Sequence, residues 1–241
     1  MMLEGVLVVN KPQGPTSHDV VDHLRRRLGI RRIGHAGTLD PIAEGVLVTL
    51  VGRATEYQRA VQAYPKQYET AIQLGLQTDS GDAWGKPLQT AEVPPLDRGR
   101  VAALLTSLTG PLLQTPPRFS AVKVQGRPMY WWTRRGVAKT VAPRQVEIFQ
   151  MALMDVGPQT IRCRIDCSSG TYIRTLAETI AQRLGTLGHV AQLTRLAVGP
   201  WTIETAHPLS WILSAGLDEL RNALQPSSTV ASIAHARPHR L

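Results

Sequence analysis

Asp40 lies in Gly34-His-Ala-Gly-Thr-Leu-Asp-Pro41, where two glycines admit unusual backbone angles and the following proline turns the aspartate away from helical geometry. The segment reads as a stiff loop presenting a carboxylate, a group suited to nucleophilic or proton-transfer chemistry if it stays ionised. An isolated Leu-Asp-Pro is equally the signature of a turn or cap. Desolvation raises a carboxylate's pKa and a neighbouring guanidinium lowers it, so a catalytic Asp40 calls for a cation. Arg174, in Ser169-Gly-Thr-Tyr-Ile-Arg174, is the candidate. It falls where a strand gives way to a helix, and a positive side chain in a helix's first turn opposes the macrodipole, so something anionic is expected to face it.

Three further groups could serve a ligand. Lys66 and Tyr68 alternate along a predicted strand, which puts a cation and an aromatic ring on one face, and Tyr68 is suited either to the core or to stacking on an extruded base. His35 offers a second ring in the Asp40 loop. Phe119, Lys123, Arg127, Tyr130, Trp131, Trp132, Arg134 and Arg135 interleave bases with rings, the composition of a surface that touches phosphates and stacks on RNA, with at least one tryptophan expected to anchor the segment. Asp79 and Asp82, in Thr78-Asp-Ser-Gly-Asp82, have too few oxygen donors around them for a cation site and read as a solvated turn.

The elements that position these residues follow from periodicity. A β-branched run, Gly5 to Val9, is closed by Asn10-Lys-Pro-Gln-Gly14, and Thr16 or Ser17 then caps a helix carrying Val20, Val21, Leu24 and Leu28. Arg31 to Pro41 is an ordered loop leading into the apolar run Val46 to Val51. Lys66 to Leu74 is a strand, and Leu76 to Pro87 a polar loop. Arg100 to Leu108 has helical spacing. Gln145 to Met154 and Thr160 to Cys167 pair across Gly157-Pro158, Thr171 to Leu184 is a helix, and His189 to Val198 is extended. The mixture, without strict alternation, predicts one α+β domain over 1–206, a short helical extension over 207–225 and a disordered tail over 226–241.

Composition narrows the partner. Lys and Arg number 27 against 18 Asp and Glu, a formal charge of +9 that favours a polyanion. The two cysteines, Cys163 and Cys167, lie four apart on one strand, about 13 Å between their Cα atoms and beyond disulfide reach. Neither a secretory leader nor a membrane-length apolar run is present, so a cytoplasmic location is expected. No Walker loop or dinucleotide glycine fingerprint points to a nucleotide cofactor.

These segments, in order and spacing, resemble the TruB-type tRNA pseudouridine synthases. The resemblance runs from Asn10-Lys-Pro-Gln-Gly-Pro-Thr-Ser17 to His189-Val-Ala-Gln-Leu-Thr-Arg195 and takes in the Asp40 loop, Lys66-Gln-Tyr68, Pro117-Arg-Phe-Ser-Ala-Val-Lys123, Gly126, Tyr130 and Ser169 to Arg174. It implies a mixed, mostly antiparallel central sheet with flanking helices, Asp40 as catalytic carboxylate, Tyr68 packed against the target base, and Arg174 paired with Asp40. Leu193 would line the pocket, and His35 would stack in the T loop. Arg118 to Arg144 would form an RNA-gripping insertion, and Lys11, Lys66, Lys123, Tyr130 and Arg134 would complete the RNA contacts. The implied reaction converts uridine 55 of tRNA to pseudouridine, without metal or organic cofactor, by a monomer for which no protein partner is inferred. Longer members carry a terminal PUA domain, for which the residues after about 207 leave no room. A non-catalytic tRNA-binding or folding factor, or a synthase with another RNA target, are the alternatives.

Overall fold

The computed structural model describes residues 3–227 and Val230. In chain order the strands are β1 (Gly5–Lys11), β2 (Ile33–His35), β3 (Glu44–Val51), β4 (Lys66–Leu74), β5 (Leu76–Thr78), β6 (Pro87–Thr90), β7 (Gly110–Gln114), β8 (Lys123–Val124), β9 (Arg127–Pro128), β10 (Arg144–Val156), β11 (Thr160–Cys167), β12 (Gly188–Val198), β13 (Trp201–Thr202) and β14 (His207–Pro208). The helices are α1 (Ser17–Leu28), α2 (Gln58–Gln62), α3 (Arg98–Ser107), α4 (Met129–Thr133), α5 (Ile173–Arg183), α6 (Leu209–Ser214) and α7 (Leu217–Ala223). The chain forms two compact units: one is built from the residues up to Tyr68 and again from Thr194 onward, the other from Glu69 to Leu193.

In the first unit β1 pairs antiparallel with β3 over its whole length and parallel with β14. β2 lies antiparallel on β3, and Thr194 and Arg195 of β12 run parallel to Glu44 and Gly45. Strands β1 and β3 are almost wholly buried, Val6, Val8, Val46, Val48 and Leu50 joining Tyr64, Trp201 and Val230 in one apolar cluster. A capping box starts α1: Thr16 Oγ1 accepts from the Asp19 N–H at 3.1 Å while the Asp19 carboxylate accepts from the Thr16 N–H at 2.8 Å. With Thr16 as the cap, Ser17 is released for another task, described below.

In the second unit the strand order is β4-β11-β10-β7, with β10 antiparallel to both β11 and β7. Alternate residues of β4, from Lys66 through Tyr68, Thr70 and Ile72 to Leu74, are buried, as the period of two requires. Antiparallel pairs prevail in both units and parallel ones are interspersed, which is the mixed, mostly antiparallel α+β class expected from the sequence. Cys163 and Cys167 are buried and not joined in a disulfide. No helix among the described residues is long and apolar enough to cross a membrane.

Two stretches read as loops contain strands. Ile33–His35 pairs with β3, and Leu76 to Pro87 is largely a hairpin of β5 on β6. The strand in the first case, three residues long, is too short for periodicity to register, and the second stretch is mostly polar because its outer strand is exposed throughout. The 207–225 segment carries α6 and α7 and belongs to the first unit. Most of the tail expected to be disordered, 228–229 and 231–241, lies outside the described residues.

Candidate active site

Asp40 is half-buried at the end of a loop whose backbone is fixed on several sides. Ser17 Oγ accepts from the Leu39 N–H at 2.8 Å and donates to the Leu39 carbonyl at 3.1 Å, so one hydroxyl holds both polar groups of the residue before Asp40. The Gly14 N–H donates to the Pro41 carbonyl at 2.9 Å, and the Ala43 N–H to the Asp40 carbonyl at 3.0 Å. Beneath the loop lies Arg195, only 1% exposed, which donates through Nε to the Val46 carbonyl (2.7 Å), through Nη1 to Thr38 (3.3 Å) and through Nη2 to Gly37 (3.0 Å). A guanidinium thus cements the loop to β3. Its backbone is as tightly placed: Gly45 has φ +101°, and a Cβ there would stand 2.2 Å from the Arg195 carbonyl oxygen. Only glycine allows β3 and β12 to approach so closely.

One buried cation of this unit feels the charge of Asp40. Lys11 is fully buried and donates to the carbonyls of Pro12 (2.8 Å) and Pro15 (3.0 Å). Its pKa is pushed down to about 8, first by desolvation; the Asp40 carboxylate opposes that shift and Arg195 adds to it. His35 is driven down to about 4 by burial, and then by the charges of Arg195 and His18, so its ring is neutral near pH 7. Its backbone carbonyl accepts from Gln58 Nε2 at 2.9 Å, and its Nδ1 is buried without a hydrogen bond. A neutral, poorly solvated imidazole is suited to stacking. Tyr68 is buried at 8% exposure. Lys66 is buried as well, its ammonium donating to the Tyr64 carbonyl at 2.5 Å and to the Gln62 carbonyl, where it closes the C-terminus of α2. Of the lysines that the sequence offered for RNA, Lys11 and Lys66 therefore fasten turns inside the protein, whereas Lys123 is exposed.

The second unit holds Arg174 and Leu193, both buried. Arg174 occupies the first turn of α5 and donates through Nη1 to the Ser80 carbonyl (2.7 Å) and through Nη2 to the Phe119 carbonyl (2.9 Å). The anion demanded by that position is present: the Asp82 carboxylate stands 3.9 Å from Arg174 Nε. Asp82 is itself buried, not solvated, because it accepts from Ser80 Oγ (2.7 Å) and the Trp84 N–H (3.1 Å). Gln114 holds the entry to α5 by accepting from the Tyr172 N–H at 2.9 Å and donating to its carbonyl at 3.3 Å. Among the described residues, no group of three or more metal-ligating side chains occurs.

The insertion, also in the second unit, is organised around rings and cations. Met129 is its buried anchor, and Trp132 donates to the Val124 carbonyl at 3.0 Å. Trp131 and Trp132 meet edge-on with ring centroids 4.7 Å apart. Arg135 lies 3.7 Å and Arg127 5.4 Å from the Trp131 ring, Lys139 lies 4.7 Å from Trp132, and Arg134 lies 5.6 Å from Tyr130. Ser17 and Arg195 were missed from the sequence. For Arg195 the alternation of β12 signals only that the side chain points inward, between Leu193 and Ala197, and not what it meets there.

A family model described as "TruB family pseudouridylate synthase (N terminal domain)" matches residues 25–173. The tRNA pseudouridine synthase B of Opitutus terrae is 41% identical over 224 residues, covering 93% of each chain. That of Geobacillus kaustophilus is 42% identical over 209 residues, 84% of this chain and 73% of the relative. Among solved structures, a chain of a Cbf5-Nop10-Gar1 complex superposes with a TM-score of 0.72 at 26% identity; the match covers 95% of the present chain and 62% of the other.

Proposed function

This chain belongs to the TruB family of pseudouridylate synthases, and we propose that it isomerises uridine 55 in the T loop of tRNA to pseudouridine. The observation that carries the reading is the Asp40 loop. A half-buried carboxylate on a backbone fixed by Ser17, Gly14 and Arg195 is a preorganised reactive group, and the +9 chain supplies the attraction for a polyanion. Asp40, Tyr68 and Arg174 are the proposed catalytic groups, Leu193 lines the pocket, and His35, Lys123, Tyr130 and Arg134 contact RNA. Lys11 and Lys66 enter as supports of the turns that carry these groups.

The chemistry sets what the protein must provide. A uridine in a folded loop has to be flipped out, at a cost of about a few kcal/mol that stacking and phosphate contacts offset. Its base then leaves C1′, rotates and rejoins through C5. A carboxylate serves this either by trapping the electron-poor sugar or by removing a sugar proton to give a glycal. The atoms are rearranged without net redox change, so the reaction calls for neither metal nor organic cofactor, and the proposed enzyme is a cytoplasmic monomer.

The test is pseudouridine formation on unmodified tRNA transcript, with the modified position mapped. Wild type should give product at position 55, and Asp40→Asn should lower turnover by at least about a thousandfold while tRNA still binds. Appreciable turnover by Asp40→Asn would remove Asp40 from the chemistry. Tight tRNA binding by a wild type that makes no product would favour a binding or folding factor, and product elsewhere a different target.

A further inference from the structure

Four of the five tryptophans have a structural partner for the ring. Trp201 is buried edge-on against Tyr64, Trp211 stacks on His207 with centroids 4.5 Å apart, and Trp131 and Trp132 carry each other and their cations. Trp84 differs: the residue is 56% exposed, and among the described residues no ring or cation stacks on it. An exposed indole on a mobile tail would mean little, but the turn that carries Trp84 is fixed. The Trp84 N–H donates to Asp82 Oδ1 (3.1 Å), the Ala83 N–H to the Val190 carbonyl (2.9 Å) and the Gly85 N–H to the Asp82 carbonyl (3.1 Å). Asp79 accepts from the Lys86 N–H at 2.8 Å and donates its own N–H to the Lys86 carbonyl at 3.0 Å. The turn is so tight that a Cβ at Gly85 would stand 2.3 Å from Ser80 Oγ.

We propose that Trp84 is a stacking platform for an unpaired nucleobase of the RNA substrate. This rests on the tRNA reading above and adds a contact outside the insertion. Three features favour a base over an apolar protein surface. The carboxylates of Asp79 and Asp82 are turned inward onto backbone N–H groups, and Asp82 also faces the Arg174 guanidinium, which offsets part of the turn's negative charge toward a polyanion. Lys86, exposed two residues on, supplies a cation in the same β5–β6 connection. The turn is also continuous with the setting of Arg174, because Ser80 and Asp82 are among the groups that hold its guanidinium. A preordered indole offers a π-face that any base accepts, at little entropic cost.

The experiment measures equilibrium binding of unmodified tRNA, its salt dependence and steady-state kinetics for the full chain and for Trp84→Ala, Trp84→Leu and Trp84→Phe. Trp84→Ala and Trp84→Leu should weaken binding and raise KM about tenfold, with kcat within about twofold of wild type, while Trp84→Phe recovers most of the loss. The slope of log Kd against log salt should be unchanged, because a stacking contact releases no counterions. Equal Kd values for wild type and Trp84→Ala would overturn the proposal, as would a leucine variant that binds like wild type. So would a flattened salt slope, which would show that the substitution disturbed phosphate contacts. Binding is read independently of product, so a wild type that binds tRNA but forms no pseudouridine defeats the functional reading and still tests Trp84.

Discussion

The Asp40 loop and the insertion both gather arginines, and they use them in opposite ways. Under the loop, Arg195 is sealed from water and spends its guanidinium on three backbone carbonyls, while Lys11 spends its ammonium on two more. In the insertion Arg127, Arg134 and Arg135 are exposed and rest on the faces of Trp131 and Tyr130, with donors left over for a ligand. A buried cation bonded to carbonyls fixes the backbone, and its removal strands polar groups. An exposed cation on a ring is oriented but replaceable, and its value is realised only when a polyanion arrives. The first arrangement suits a reacting group that must not move, the second a surface that meets a large, flexible substrate.

The largest test of that contrast is Arg195→Met. It should cost about 3 kcal/mol of stability, since the carbonyls of Gly37, Thr38 and Val46 lose their donor together. Urea denaturation reads the cost, and kcat should fall with it while KM for tRNA changes little. Arg135→Ala, by contrast, should shift stability by no more than about 0.5 kcal/mol. If the two variants were equally stable, the division between cementing and gripping arginines would be wrong.

A second test uses protons. In the unfolded chain His35 takes up its proton near its ordinary value of 6.5, but in the folded chain only near 4. Between those values the unfolded state binds more protons, so stability must fall as the pH falls through that window. After allowance for the partial exposure of the ring, about 2 kcal/mol should be lost between pH 6.5 and 4, and His35→Gln should lack that part of the acid sensitivity. A variant with the wild-type profile would mean that burial of the ring, and its neutrality near pH 7, has been misassigned.

What could be read in the sequence follows the same division. β4 was legible to the residue because its inward positions, Tyr68 to Leu74, alternate without interruption. The Asp40 loop was legible because glycine and proline constrain backbone directly. Ser17 was not, since a serine beside a capping threonine looks like a competing cap, and only the fold shows that its hydroxyl reaches a residue 22 positions away. Arg195 was hidden for the same reason: its partners belong to β3 and the preceding loop, and no local pattern encodes that meeting. Asp82 was misread as solvated because burial by its own turn, through Ser80 and Trp84, depends on the register of that turn. Local rules expose chemistry that is written along the chain, and long-range polar contacts remain invisible to them.

The smallest expected effect falls on the insertion. Arg134 is exposed and lies 5.6 Å from the Tyr130 ring, an arrangement worth at most about 1 kcal/mol to the folded protein. Arg134→Gln should therefore leave the denaturation midpoint nearly unchanged. If the guanidinium meets one phosphate of the bound tRNA, its loss should weaken binding several-fold at about 0.1 M salt and reduce the slope of log Kd against log salt by about 0.9. An unchanged slope would place Arg134 outside the phosphate contacts and confine it to orienting Tyr130. A large loss of stability would move it to the cementing class with Arg195, and the contrast between the two regions would then rest on Arg127 and Arg135 alone.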